Sequence, residues 1–168
     1  VRVGVYPNPP KLFAAADGKP SGILGDLLLE VARLEGWAIV PVPCEWEACL
    51  AALESGDLDL MPDVAYSESR TRRFDFHAVP ALNSWSQVYR RAGVSIESVL
   101  DLQGKRVAVL GGSVQQEHVS GLVRSFDLQT TLVPVQSFEE GFARVADGSA
   151  DAVVANYHFG SLAASRHG

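Results

Sequence analysis

Residues 56–76, GDLDLMPDVAYSESRTRRFDF, constrain the fold of this chain more than any other stretch. They begin with a Gly-Asp turn, continue as an apolar segment from Leu58 to Val64, and then present Ser67 as a candidate helix N-cap. A buried strand that leads into a polar loop and a helix is typical of open α/β sheets, in which ligands bind at the carboxyl ends of the strands. We therefore expect a ligand-binding loop in this stretch.

Arginines dominate the end of the same stretch. Arg70, Arg72 and Arg73 place three guanidinium groups on the predicted short helix. One of them, facing a cleft, would suit a carboxylate because the donors of a guanidinium form a planar fork. The alternative is that all three are solvated or pair with Glu68 and Asp75.

The rest of the chain alternates between strand and helix patterns. The predicted strands are 2–6, 38–42, 58–64, 84–91, 106–110, 131–135 and 152–155, the predicted helices are 25–36, 46–56, the segment after Ser113 and 137–146, and a hairpin is predicted around DGKP at 17–20. Short connections between such elements favour right-handed crossovers and largely parallel sheets. The sequence therefore predicts an α/β protein of two similar lobes that enclose a cleft.

Composition and spacing exclude several functions. A net charge of −6 argues against nucleic acid and anionic membrane surfaces. No apolar run approaches the ~20 residues of a membrane span, and the first residues, VRVGVY, predict a strand rather than a signal peptide. Membrane contact is therefore expected only through segments outside this sequence.

Cysteine and histidine patterns predict neither a metal site nor catalysis. Cys44 and Cys49 fit neither a CxxC motif nor a zinc knuckle, so two buried free thiols are favoured, with a short-range disulfide as the alternative. The four histidines lack ligand spacing, and Ser113 lies outside a GxSxG elbow. We expect no metal, no cofactor and no catalytic residue.

Three further positions each have two interpretations. Gly111-Gly112-Ser113 lies between a strand and a helix, where it would bind an anion through free N–H groups or form a tight turn with a serine N-cap. Trp46 is either a core anchor or a stacking wall for a ligand. Asn156 follows the last predicted strand as either a cleft residue or an ordinary cap.

Four segments in the same order carry a family likeness. They are DGKPSGILGDLLLEVARLEG, the Trp46 helix ending in ALESGDLDL, YSESRTRRFDF, and DLQGKRVAVLGGS followed by FEEGFARVADGSADAVVAN. Together they resemble the family 3 extracellular solute-binding proteins, of the periplasmic amino-acid-binding type. The resemblance implies a type II periplasmic-binding-protein-like fold, with lobe 1 at 1–87, a hinge region at 88–94 and lobe 2 at 95–168, closing over a small solute.

The resemblance also implies a ligand site. Arg70 looks like the family's arginine that grips a ligand carboxylate, and Ser113 looks like the small hydroxyl residue that assists it from the other lobe. Trp46 falls where many members place a stacking aromatic. The other implied ligand-binding positions are Asn8, Asp63 and Gln115, in loops that usually line the cleft, and Asn156.

Departures from the family pattern change the expected ligand. The acidic residue that receives an α-ammonium group would fall at Asn156, which carries no charge. Lys11 replaces the aromatic that usually follows the double proline, and Asn8 stands where transport proteins often have a ring. We therefore expect a small polar solute with a carboxylate and without the amine rather than an ordinary amino acid.

The family's chain normally returns from lobe 2 to complete lobe 1, whereas this sequence ends near the last helix of lobe 2. The resemblance thus implies that the C-terminal return segment is missing. Either the chain is cut, or a partner chain covers the exposed surface of lobe 1. A homodimer is one form that such a partnership could take.

The sequences of residues 61–91 and of SVQQ at 113–116 resemble those of modules fused ahead of bacterial sensor histidine kinases and diguanylate cyclases more than those of free transport proteins. The expected function is an extracytoplasmic sensor domain on the periplasmic or extracellular side of the inner membrane, with lobe closure as its signal. The alternative is the substrate-binding protein of an ABC importer. A dehydratase is the third class, with Asp63 as its only candidate general base.

Overall fold

Strands rich in valine organise two separate α/β units in this computed structural model, which describes residues 1–167. The first unit is Val1–Asn83, and the second begins at Ser84. The predicted boundaries at residues 87 and 94 stay predictions, and Gly168, the last residue of predicted lobe 2, lies outside the described residues.

The first unit contains two short sheets and two helices. Its elements are β1 (Arg2–Val5), β2 (Phe13–Ala14), β3 (Pro20–Ser21), α1 (Ile23–Glu35), β4 (Val40–Pro43) and α2 (Trp46–Ser55). Strands β1 and β4 pair in parallel, and β2 and β3 form the predicted hairpin. Gly36 ends α1 with a φ of 69°, the left-handed conformation predicted for it.

The third predicted strand of this unit is largely absent. Of residues 58–64, only Leu60 pairs, in a single parallel bridge with Val3. Leu58 and Met61 are nevertheless buried, as an apolar segment should be. Pro62 follows directly and has no N–H with which to extend a ladder, so the prediction of a strand through Val64 is wrong.

The helix predicted to begin at Ser67 is also shorter than expected. It is one 3₁₀ turn, Arg70–Arg72, preceded by Ser69, and no serine side chain caps it. The Arg70 N–H instead donates to the carbonyl oxygen of Ser67 at 3.0 Å. Such i→i+3 turns rarely extend further because their hydrogen-bond geometry is poor.

Cys44 and Cys49 form a disulfide, which corrects the expectation of two free thiols. Their Cα atoms lie 5.4 Å apart. The bridge connects the residue after β4 to the start of α2, the helix that begins at Trp46. Sequence spacing could not decide the oxidation state because it depends on the redox compartment.

The second unit is built on one four-stranded sheet. Its elements are β5 (Ser86–Arg90), a 3₁₀ turn (Val99–Leu102), β6 (Arg106–Leu110), α3 (Val114–Ser125), β7 (Thr131–Val135), α4 (Phe138–Ala146), β8 (Ala152–Asn156) and α5 (Tyr157–His167). The strand order is β5-β8-β6-β7, with β5 antiparallel to β8 and the other pairs parallel.

Apolar side chains fill both faces of that sheet. One cluster consists of Leu102, Val107, Val109, Val119 and Val154. On the other face, the rings of Phe138 and Phe142 lie 5.3 and 5.9 Å from that of Phe159, between centroids. None of the helices described in the two units combines the length and the apolar character that a bilayer crossing requires.

Candidate functional site

A carboxylate with three side-chain donors lies in the interior of the first unit. Asp63 is 7% exposed. Its Oδ1 accepts from Lys11 Nζ at 2.6 Å, and its Oδ2 accepts from Asn8 Nδ2 at 2.7 Å and from the Tyr6 hydroxyl at 2.9 Å. A buried carboxylate requires such partners because desolvating an unpaired charge is costly.

Local structure brings these donors to Asp63. Tyr6 directly follows β1, and a tight turn runs from Asn8 to Leu12, where the Asn8 N–H donates to the Leu12 carbonyl at 2.8 Å. Burial and the Asp63 carboxylate hold the pKa of Tyr6 well above its usual range. The Tyr6 hydroxyl therefore stays protonated and remains a donor to Asp63.

Arg70 is the second charged group of this site. It is 6% exposed, and its Nη1 donates to the carbonyl oxygen of Ala65 at 2.9 Å. Its guanidinium carbon lies 5.2 Å from the centroid of the Trp46 ring. A buried guanidinium against an aromatic face is a favourable cation–π arrangement.

Trp46 connects Arg70 to the Asp63 cluster. The Trp46 and Tyr6 rings lie 4.9 Å apart, between centroids. The indole Nε1 is buried and has no hydrogen-bond partner among residues 1–167. Because a buried N–H without an acceptor is unfavourable, this donor indicates a place for an acceptor from outside the chain, such as a water or a ligand oxygen.

The other two arginines of the turn differ from Arg70. Arg72 is exposed. Arg73 is also exposed and pairs with Glu54, with its Nε 2.9 Å from Glu54 Oε1. Arg72 and Arg73 are therefore solvated, as the alternative interpretation expected, although Arg73 pairs with Glu54 rather than with Glu68 or Asp75. Arg70 is buried and is not solvated.

In the second unit, two predicted site residues follow neighbouring parallel strands. Ser113 comes after β6, Asn156 ends β8, and Val109 of the first strand pairs with Val154 of the second. The carboxyl ends of these strands lie at one edge of the sheet, so both residues lie at that edge.

Both residues act as helix caps. The Ser113 hydroxyl accepts from Gln116 N at 3.1 Å and donates to the Leu110 carbonyl at 2.6 Å. The Asn156 Oδ1 accepts from Phe159 N at 3.0 Å. Asn156 carries no charge that could attract an ammonium group.

The glycine turn before Ser113 uses its own N–H groups. Gly111 donates to the Val135 carbonyl at 3.0 Å, and Gly112 donates to the Gln116 side chain at 2.8 Å. The predicted turn with a serine N-cap is therefore present, and anion binding at this turn stays a prediction. Gln115, expected in a loop, lies instead in the first turn of α3.

The buried polar residues match the predicted positions closely. Those in the described chain are Asn8, Lys11, Asp63, Arg70, Ser113, Gln115 and Asn156, and the seventh predicted position, Trp46, is buried as well. Within the first unit, Asn8 and Asp63 contact each other, and Arg70 contacts Trp46. Sequence reasoning missed the roles of Tyr6 and Lys11, although the unusual lysine after the double proline was a signal.

Comparison with known proteins identifies the family. The model of the bacterial extracellular solute-binding proteins, family 3, matches residues 1–96. The model described as NMT1/THI5 like matches residues 74–168.

The L-cystine-binding protein TcyJ of Escherichia coli (strain K12) is 27% identical over 129 residues, which are 76% of this chain and 48% of that protein. The chain thus spans about half the length of this curated relative.

Solved structures show the same fold. An ancestral arginine-binding protein bound to arginine has a TM-score of 0.88 and 28% identity, covering 99% of this chain and 74% of that one. A histidine kinase sensor domain with similarity to periplasmic binding proteins has a TM-score of 0.81 and 24% identity, covering 99% and 72%.

The predicted type II periplasmic-binding-protein fold is confirmed. This chain belongs to the bacterial extracellular solute-binding proteins, family 3.

Proposed function

We propose that this chain is the extracytoplasmic sensor domain of a bacterial membrane receptor, with a histidine kinase as the receptor we favour. Its ligand is a small polar solute with a carboxylate, and it acts on the periplasmic or extracellular side of the inner membrane. The likeness to a histidine kinase sensor domain supports this role. Arg70 anchors the ligand, and the other ligand-binding residues are Trp46, Asn8, Asp63, Ser113, Gln115 and Asn156.

The buried guanidinium of Arg70 is the observation that carries the proposal. Its Ala65 contact uses Nη1, and its position against Trp46 holds the planar fork in one orientation. Desolvated arginine–carboxylate pairs are stronger than exposed ones. The unpartnered Trp46 Nε1 supplies a second donor type next to the same guanidinium.

Charge balance in the first unit also supports an anionic ligand. The buried charged residues there are Lys11, Asp63 and Arg70, two cations and one anion. This excess of buried cations over buried anions favours an anionic ligand over a cationic one.

Signalling follows from a population shift between open and closed forms. A solute held by Arg70 on one lobe and by Ser113 and Asn156 on the other binds the closed form more tightly and increases its population. Ser113 would exchange its bond to the Leu110 carbonyl for one to the ligand.

Transport is the alternative role, with the same binding chemistry and delivery to an ABC importer. The likeness to the L-cystine-binding protein supports this alternative. The full-length gene separates the two, since transmembrane helices and a kinase domain would support the sensor.

An enzymatic role has less support. The relatives are named as binding proteins. Asp63, the only base we could suggest, already has both oxygens bonded to Lys11, Asn8 and Tyr6. A general base must be able to reach a substrate proton, and this carboxylate would first have to give up a partner.

A thermal-shift screen of small carboxylates against wild type, Arg70→Ala and Arg72→Ala tests the anchor. Ligands that stabilise wild type should lose that effect in Arg70→Ala, because a charge-assisted bond contributes roughly 1.5–3 kcal/mol. Arg72→Ala, the exposed neighbour in the same turn, should respond like wild type. Equal stabilisation of Arg70→Ala and wild type by the same carboxylate would show that Arg70 is not the anchor.

A further inference from the structure

The only buried acidic residue in the described chain already has an ammonium partner. Asp63 is that residue, and Lys11 supplies the partner at 2.6 Å. The side chains are 7% and 10% exposed, so solvent screens the pair weakly. The Asp17–Lys19 pair of the same unit shows the contrast, with side chains that are 54% and 68% exposed.

Each oxygen of Asp63 has a distinct role. Oδ2 accepts from two neutral donors, Asn8 and Tyr6, which hold the carboxylate in place. Among residues 1–167, Lys11 Nζ is the one side-chain donor to Oδ1. Lys11 therefore neutralises the carboxylate and takes one of the two acceptor sites of the oxygen at which an ammonium group from outside would bind.

We propose that Lys11 is the residue that determines ligand specificity, because its ammonium takes the place that a ligand's ammonium would need. The inference deepens the proposed function and rests on Arg70 anchoring a carboxylate. The chain would then select carboxylates without an adjacent amine over the corresponding α-amino acids. Lys11 is a specificity residue and need not touch the ligand.

A continuous series of contacts links Lys11 to Arg70. Lys11, Asp63 and Tyr6 are connected by hydrogen bonds, and Tyr6 contacts the Trp46 ring on which Arg70 lies. An ammonium group on a ligand held by Arg70 would thus enter a buried region in which the described acid is already neutralised.

A ligand ammonium group would not easily displace Lys11 from Asp63. The lysine is tethered, so its effective concentration at Asp63 greatly exceeds that of a free ligand. Once displaced, its own ammonium would need a new partner inside the unit, because burying an unpaired charge is costly.

Matched ligand pairs test the inference in the wild-type protein. One pair is arginine and 5-guanidinopentanoate, and the other is cystine and 3,3′-dithiodipropionate; the second member of each lacks only the α-amino groups. Calorimetry should show the amine-free member binding about 10-fold tighter or more, the size of one charged hydrogen bond. Tighter binding of arginine and cystine would overturn the inference and leave an Arg70-dependent carboxylate site intact.

Chemical rescue tests the vacated oxygen directly. Lys11→Ala should be destabilised, and ethylammonium chloride should raise its Tm more than equimolar sodium chloride or ethanol does. Lys19→Ala, which breaks the exposed pair, should respond equally to ethylammonium and sodium. In addition, Lys11→Ala should shift the preference within each ligand pair toward the amino acid. A folded Lys11→Ala with no ethylammonium-specific rise and an unchanged preference would contradict the inference.

Failure of the proposed function looks different from failure of this inference. If Arg70→Ala retained full carboxylate binding, Arg70 would not be the anchor. The rescue of Lys11→Ala would still show whether an external ammonium group can bind Asp63 in place of Lys11. If Arg70→Ala lost binding but wild type preferred the amine-bearing ligands, only the specificity role of Lys11 would fall.

Discussion

The two units hold the amino end of their first parallel strand in the same way and differ at the carboxyl end. In one, Arg2 N donates to Asp59 Oδ2 at 2.6 Å; in the other, Arg106 N donates to Asp151 Oδ2 at 2.8 Å. In both, the arginine guanidinium also donates to the carbonyl oxygen of a turn glycine at 2.8 Å.

At the carboxyl ends the chemistry diverges. The first unit buries charged groups there, with Asp63 bonded to Lys11. The second unit buries neutral groups, Ser113 and Asn156, which cap helices. We infer that the repeated arginine–aspartate contact at the amino ends stabilises the fold. The residues at the carboxyl ends can differ between the units and are placed to determine ligand recognition.

The largest effect should come from removing the buried carboxylate. Asp63→Ala leaves the Lys11 ammonium buried without its partner, and breaking such a pair costs roughly 3–5 kcal/mol. Asn156→Ala, at the equivalent place in the second unit, loses a neutral cap worth about 1 kcal/mol. Urea denaturation followed by circular dichroism measures both, and equal losses would remove the distinction between charged and neutral strand ends.

The stability of the second unit should be sensitive to added side-chain volume where α5 packs against β5. A Cβ on Gly160 would overlap the ring of Tyr89, whereas one on Gly121 would meet nothing within 4 Å. Gly160→Ala should therefore cost about 1–3 kcal/mol through overpacking. Gly121→Ala should gain up to about 1 kcal/mol because alanine is the better helix former.

Thermal unfolding of these two glycine variants gives the comparison. A Gly160→Ala protein as stable as Gly121→Ala would mean that α5 can move away from β5 at little cost.

The smallest effect should be a shared dependence on acid. The partnering arginines lower the pKa of Asp59 and of Asp151 below the ordinary value of 3.8. A depressed pKa in the folded state adds stability that is present above pH 3.8 and is lost as the pH falls toward the folded-state pKa.

Asp59→Asn and Asp151→Asn should each flatten the decline of Tm below about pH 4, and by similar amounts if the two contacts are equivalent. The Arg2 and Asp59 side chains are 45% and 42% exposed and those of Arg106 and Asp151 are 44% and 20% exposed, so solvent screens both pairs and the change should be small. If the Tm of either variant fell more steeply with decreasing pH than that of wild type, the proposed stabilisation by the ionised aspartate would be contradicted.

Much of the fold could be predicted because local patterns determine it. The strands at 106–110 and 131–135 have the predicted bounds, since their valine-rich segments lie between turn residues. The predicted strand through Val64 is wrong because an apolar segment indicates burial, which Leu58 and Met61 show, and does not by itself indicate strand pairing, which Pro62 interrupts.

The candidate site was harder to predict, because its main contacts join residues distant in sequence. The Lys11–Asp63 pair spans 52 positions, and no local pattern signals it. Arg70 could be selected from three neighbouring arginines only through the family resemblance. The disulfide depended on oxidation, which the spacing of Cys44 and Cys49 does not encode.

A crystal structure with the tightest-binding carboxylate from the screen tests the central claim most directly. The account predicts both carboxylate oxygens within about 2.7–2.9 Å of the Arg70 guanidinium nitrogens, the geometry of a charge-assisted bidentate pair. A carboxylate bound elsewhere, with Arg70 more than one hydrogen-bond length from it, would contradict the account.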